Sequence, residues 1–139
     1  AALALSFSAS AESVYLYTET SLPGETMDEF VVRIARGLEM SGKRKNAEVC
    51  GSIKTINSLY SLDVNHKQDN VQCTVTHELE DVLIHTHLPY MGARFSPADY
   101  SHKGYMIRNG VVCYNDGSQG TEVIVTRHGR RPGSKCARY

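Results

Sequence analysis

The sequence predicts an α/β fold: a mixed, mostly antiparallel, curved β-sheet with one long helix near the N-terminus and a short helix later in the chain. Three observations carry this expectation. From Met27 to Leu38 the apolar residues recur at three- and four-residue steps, the period of an amphipathic helix. Much of the remaining chain alternates, or runs apolar in short blocks bounded by Gly, Pro, Asn and Asp, the signature of strands and turns. A length of 139 residues suits one domain, which at that size buries about two thirds of the surface its unfolded chain exposes.

The elements follow in order. Residues 14–23 hold Val14, Leu16 and two tyrosines before Pro23-Gly24, a short strand ending in a turn. Ahead of them, Leu3-Ala4-Leu5-Ser6-Phe7 and Ala9-Ser10-Ala11 read either as the residue of a signal segment with a small-residue cleavage site or as an ordinary N-terminal strand. The helix through Met27, Phe30, Val31, Ile34 and Leu38 opens on a capping box, Thr26 with Glu29, and Gly42 offers its stop. Ala47 to about Ser61 reads as one or two strands, Asp63 to Asn70 as a polar loop, and Val71, Cys73 and Val75 as a further strand. Glu78-Leu79-Glu80 turns the chain into a strand from Val82 to His87. Asn109-Gly110, between Tyr105–Ile107 and Val111–Tyr114, is a type I′ hairpin signal because both positions need positive φ; Asp116-Gly117 resembles it. Thr121 to Thr126 is the last expected strand.

Composition excludes several classes. Apolar and charged residues make up 41% and 22% of the chain, as in ordinary globular proteins, and no apolar run reaches the roughly 18 residues of a membrane span. Fifteen basic residues balance fifteen acidic ones, so no overall field draws nucleic acid. The basic cluster Arg127, His128, Arg130, Arg131, Lys135 and Arg138 reads as a solvated tail. Cys50, Cys73, Cys113 and Cys136 form an even set without CxxC spacing, which fits up to two disulfides in an oxidising compartment and equally four free thiols.

Chemistry concentrates around two histidines. His85 and His87 lie two apart at the end of an apolar strand, so both imidazoles leave one face with Cα atoms about 6 to 7 Å apart. Ser96-Pro97-Ala98-Asp99 reads as a helix start, with Ser as cap, Pro first and Asp third. Two histidines and one carboxylate make the three-ligand count of a catalytic zinc site, which keeps a position open for water. Glu48, among residues suited to the core, is the candidate general base that takes the water's proton and passes it to a leaving amine. His66, His77 and His102 read as surface histidines, and Tyr60, Tyr90, Tyr100, Tyr105 and Tyr114 as core-margin residues with wet hydroxyls.

Glu48-Val49-Cys50-Gly51, then His85-Thr86-His87, then Ser96-Pro97-Ala98-Asp99, in this order with a helix before and a hairpin after, resembles the JAMM (MPN-class) metallopeptidases over residues 26–126. The resemblance implies zinc held by His85, His87 and Asp99, Glu48 as acid/base, and Ser96 steadying the tetrahedral oxyanion. It also implies hydrolysis of a peptide or isopeptide bond in a protein or peptide substrate, and a cytidine-deaminase-like layering of helix and sheet. Two positions depart from the pattern. Leu88 stands where the family has proline, and the segment from His87 to Asp99 is one residue longer than usual, which calls for a one-residue bulge. Bacterial JAB-like domains of secreted or toxin-associated proteins are the nearest in size, which suggests a secreted or periplasmic protein; a cytoplasmic one, or a fragment of a larger protein, is the alternative. The chain thus divides into a strand or signal remnant over residues 1–25, a catalytic domain over residues 26–126 and a basic tail over residues 127–139. Two other functions are consistent with the same residues: a metal-free scaffold that binds proteins, and a toxin or effector domain hydrolysing a non-peptide substrate.

Overall fold

A computed structural model describes residues 13–67, 73, 78, 80–92, 94–131 and 136. The expected signal remnant over residues 1–11, most of the strand through Val71 and Val75, and His77 lie outside them. The described chain is mixed α/β. Its helix α1 (Met27–Lys45) follows strand β1 (Val14–Thr20), and the remaining strands are β2 (Val49–Ile56), β3 (Leu59–His66), β4 (Val82–Thr86), β5 (Lys103–Arg108), β6 (Val111–Asp116), β7 (Val123–Thr126) and β8 (Gly129–Arg131). They form one open sheet in the order β1-β3-β2-β4-β5-β6-β7-β8. Every neighbouring pair is antiparallel except β4 with β5. No helix among the described residues is long and apolar enough to cross a membrane.

The capping box forms as the sequence predicts: the Glu29 amide donates to Thr26 Oγ1 at 3.1 Å and the Thr26 amide to Glu29 Oε1 at 3.2 Å. The helix stop does not fall at Gly42. It falls at Asn46, whose left-handed backbone (φ 48°) lets its amide reach the carbonyls of Gly42 and Lys43. Gly42 instead permits close packing, since a Cβ there would stand 3.0 Å from Ala47 O and 3.3 Å from Thr86 Oγ1.

Two further expectations change. The run from Ala47 to Ser61 is a hairpin turning on Asn57 and Ser58, both at positive φ, and β3 extends through His66 rather than giving way to a loop at Asp63. Asn109 and Gly110 turn the β5–β6 hairpin with φ of 50° and 77°. At Asp116-Gly117 only the glycine is at positive φ, and the chain makes a wider turn into β7.

The sheet has two differently covered faces. On one, Phe30, Val31, Ile34 and Leu38 of α1 pack on Val49, Ile53, Ile84, Tyr105, Ile107 and Val112, a continuous apolar core. Gly51 belongs to this layer, because a Cβ there would lie 2.3 Å from a Leu62 methyl. Strand alternation turns Cys50, His85, Met106 and Cys113 to the other face, where a smaller cluster joins Phe95, Met106, Cys113, Ile124 and Cys136. Two disulfides, Cys50–Cys73 and Cys113–Cys136, tie this second face, with Cα separations of 5.7 and 5.9 Å.

The basic segment is not wholly a solvated tail. Arg130 of β8 stacks over the Tyr114 ring at 4.1 Å and forks onto Asp28 at the start of α1, at 2.9 and 3.3 Å. Tyr105, 1% exposed and so not at the core margin, donates its hydroxyl to the same carboxylate. Burial pushes the Asp28 pKa up, but the bonds from Arg130 and Tyr105 outweigh it and hold the group below its ordinary value.

Because the folded-state pKa of Asp28 is depressed, its stabilisation is full above the ordinary aspartate value of about 3.9 and is lost as pH falls through the lower native value. Asp28→Asn is expected to cost about 1–3 kcal/mol at neutral pH and to flatten the acid limb of stability. Urea unfolding across pH measures both, and parallel acid limbs in the two proteins would remove Asp28 from the account. Alkylation before and after reduction checks the bridges: no cysteine should react in the native protein, and all four should react once it is reduced and unfolded.

Candidate metal centre

β4 delivers His85 to the sheet face opposite α1, and His87 follows just past the strand end, its amide donating to Ile107 O at 2.9 Å. The two imidazoles face each other with Nε2 atoms 3.1 Å apart. Each has an acid beside it. Asp99 Oδ2 lies 3.9 Å from His85 Nε2, and Glu48 Oε1 lies 3.6 Å from His87 Nε2. Glu48 sits one residue before β2, not within it, and Asp99 lies in the short 3₁₀ turn Pro97–Ser101 that stands where a short helix is expected. The longer segment between His87 and Asp99 therefore still brings the aspartate to the histidines. Leu88, which follows His87, is buried.

The tautomers are constrained by what the rings touch. His87 Nδ1 lies 2.6 Å from the Gly92 carbonyl, which can only accept, so Nδ1 carries a proton and Nε2 is the ring nitrogen turned to His85. Burial lowers the His85 pKa to about 4, against the pull of Asp99, so that ring is neutral at neutral pH. Two ring nitrogens 3.1 Å apart need either one proton between them or a shared cation.

The donor types are ones that zinc takes, but their spacing is not that of a closed three-ligand site. Two imidazole nitrogens and a carboxylate oxygen are zinc's ordinary ligands, and bonds of about 2.0–2.1 Å place tetrahedral donors about 3.3–3.4 Å apart. The histidine pair is slightly inside that spacing and Asp99 slightly outside it. Asp99 is drawn away by a competing bond, because its Oδ2 accepts the Ser96 amide at 2.7 Å. Among the described residues no three His, Cys, Asp or Glu side chains stand at coordination spacing. What they offer is a convergent pair with an acid on either side.

Glu48 is held from behind. Its Oε2 accepts the Cys73 amide at 3.3 Å, and Cys73 is bridged to Cys50 beside it. Burial raises the Glu48 pKa, with Asp99 adding to it, while His87 and the Cys73 amide oppose. A carboxyl raised in this way holds its proton more readily than a free one. The four groups line one cleft of about 640 Å³, together with Ser96 and Phe95. Phe95 stands edge-on to His85 with ring centroids 6.2 Å apart.

All five residues predicted from the sequence thus meet in one place. The remaining histidines do not share one assignment: His66 is 8% exposed at the end of β3, against the surface reading, and His102 lines the far part of the cleft. Sequence reasoning missed the Cys73 amide, the Gly92 carbonyl and Phe95. Backbone groups leave no residue-type signal, and a lone phenylalanine in a loop has no spacing to mark it. Compared with protein-family models, with curated proteins and with solved structures, the chain has no match.

In metal-free protein, long-range proton–nitrogen correlation should show His87 protonated at Nδ1. It should also show His85 neutral between the ordinary imidazole value of about 6.5 and its own value of about 4. A His87 Nδ1 without a proton would contradict its contact with the Gly92 carbonyl.

Proposed function

We propose that the chain is a zinc-dependent hydrolase of peptide or isopeptide bonds, in which His85, His87 and Asp99 hold the metal and Glu48 moves the proton. The observation that carries this reading is the opposed Nε2 pair, 3.1 Å apart in a cleft, with one acid beside each ring. Zinc held there would supply Lewis acidity and lower the pKa of a bound water to about 7. The residues of the chain do the rest. Glu48, fixed by the Cys73 amide and raised in pKa by burial, accepts a proton from water and returns it to the departing amine. The Ser96 amide is taken by Asp99, so its hydroxyl is the group left at the cleft to steady an oxyanion.

With the helix on one face of the sheet and the histidines on the other, the JAMM-like layering that the sequence resemblance implies is part of this proposal. Two disulfides suit a secreted or periplasmic protein. One observation favours a metal-free protein-binding scaffold instead: Asp99 already serves as the acceptor of a cap, a role it fills with no metal present.

Metal analysis of protein purified without chelator is expected to find about one zinc per chain, and chelation to lower the melting temperature. Protein that holds no zinc and is indifferent to chelator is the scaffold. Glu48→Gln should keep the fold and the zinc while cleavage of a peptide library falls by about 10²–10⁴-fold. Equal digestion by both proteins would take Glu48 out of the reaction.

A further inference from the structure

The cleft continues beyond the histidines, across the strands, to a polar group with nothing to bind. In the paired rows of the sheet, Leu83 stands beside Gly104 and Gly104 beside Asn115, two residues along from the row of His85, Met106 and Cys113 and on the same face. Gly104 has no side chain to fill that row, and a Cβ there would stand 3.1 Å from Leu83 O and 3.7 Å from Asn115 Nδ2. Asn115 is fully buried yet lines the cleft. Its Oδ1 accepts the Gly117 amide at 2.8 Å, which fixes the orientation of the side-chain amide, and its Nδ2 has no hydrogen-bond partner among the described residues. A buried donor left unpaired carries a desolvation cost that a ligand acceptor would offset.

We infer that the glycine-floored end of the cleft, between Leu83 and Asn115, is a subsite for an extended peptide, whose neutral backbone carbonyl accepts from Asn115 Nδ2. The acceptor is neutral because the cleft's charged lining is acidic, Glu48 and Asp99, and among the described residues no lysine or arginine lines it. A carboxylate would meet repulsion there without a counter-ion. The span suits a peptide too. Two strands across at about 4.8 Å and two residues along place Asn115 about 12 Å from His85, three to four residues of extended chain. The subsite depends on the proposed hydrolase only for what it serves; the binding itself does not require the metal.

The test follows the Asn115 side-chain NH₂ resonances of the labelled full chain carrying Glu48→Gln, so that the probe is not consumed. The probes are acetyl-Ala-Ala-Ala-amide and acetate. The capped peptide should shift these resonances saturably and acetate should not. Gly104→Ala, which fills the floor, should weaken peptide binding by at least about tenfold. Asn115→Asp, which keeps an acceptor for the Gly117 amide but loses the donor, should do the same if the glycine variant does not fold. Resonances unmoved by the peptide, an equal response to acetate, or undiminished binding in the folded variants would each overturn the inference. Peptide binding in a chain whose wild type leaves a peptide library intact would sink the hydrolase and keep the subsite. Cleavage by a chain whose Asn115 resonances do not respond would do the reverse.

Discussion

The one parallel pairing among the described residues, β4 beside β5, determines where the candidate site lies. Antiparallel neighbours can be joined by a tight turn, but parallel strands require the chain to travel back over a sheet face before it re-enters. Here the return runs through residues 87–102, and it supplies His87, Phe95, Ser96 and Asp99 to one cleft. The opposite face is already filled by α1, whose apolar stripe covers Ile84, Tyr105 and Ile107. The connection is therefore left with the face on which His85 emerges. A hairpin at this point would have left His85 without Asp99 beside it.

That arrangement concentrates polar groups where the sheet would otherwise be apolar, and the structure offsets the cost with fixed partners. Glu48 has a backbone amide, His87 a carbonyl, and Asp99 the Ser96 amide. Each of these bonds also sets the orientation of the side chain that makes it, the way outer-shell groups orient ligands at metal sites. The bridge from Cys50 to Cys73 then anchors the segment that supplies the Glu48 partner. Loss of that anchor would release the Glu48 carboxyl before it affected the main core, which lies on the other side of the sheet.

Much of this was legible in the sequence because it follows from period and order. The helix stripe and its capping box, the Asn109-Gly110 turn, and the succession of Glu48, His85, His87, Ser96 and Asp99 need no tertiary information beyond alternation. What escaped has a common physical cause: the residue's role is set by a neighbour distant in sequence. Ser58 turns a hairpin in a left-handed conformation that its type does not favour, Arg130 leaves the basic segment to meet Asp28, and Tyr105 is buried because that carboxylate takes its hydroxyl. Asn115 reads as a strand residue before a turn, and only the register opposite Gly104 places it on the cleft.

Gly42 shows how the two faces are joined. As a helix stop it would be a local device. As a point of close approach it lets the end of α1 settle against Thr86, within the reach that any side chain would block. The Ala47 amide then donates to Gly42 O at 3.1 Å, and the Val49 amide donates to Thr86 Oγ1 at 3.1 Å. Glu48 is thus held between two residues whose amides are both tied down, one to the helix and one to the strand that carries His85. Its side chain, restricted from both sides, turns to the other face and meets His87. The position of the candidate base relative to the candidate ligands is therefore set by helix packing on the far side of the sheet, through a glycine that takes no part in the chemistry.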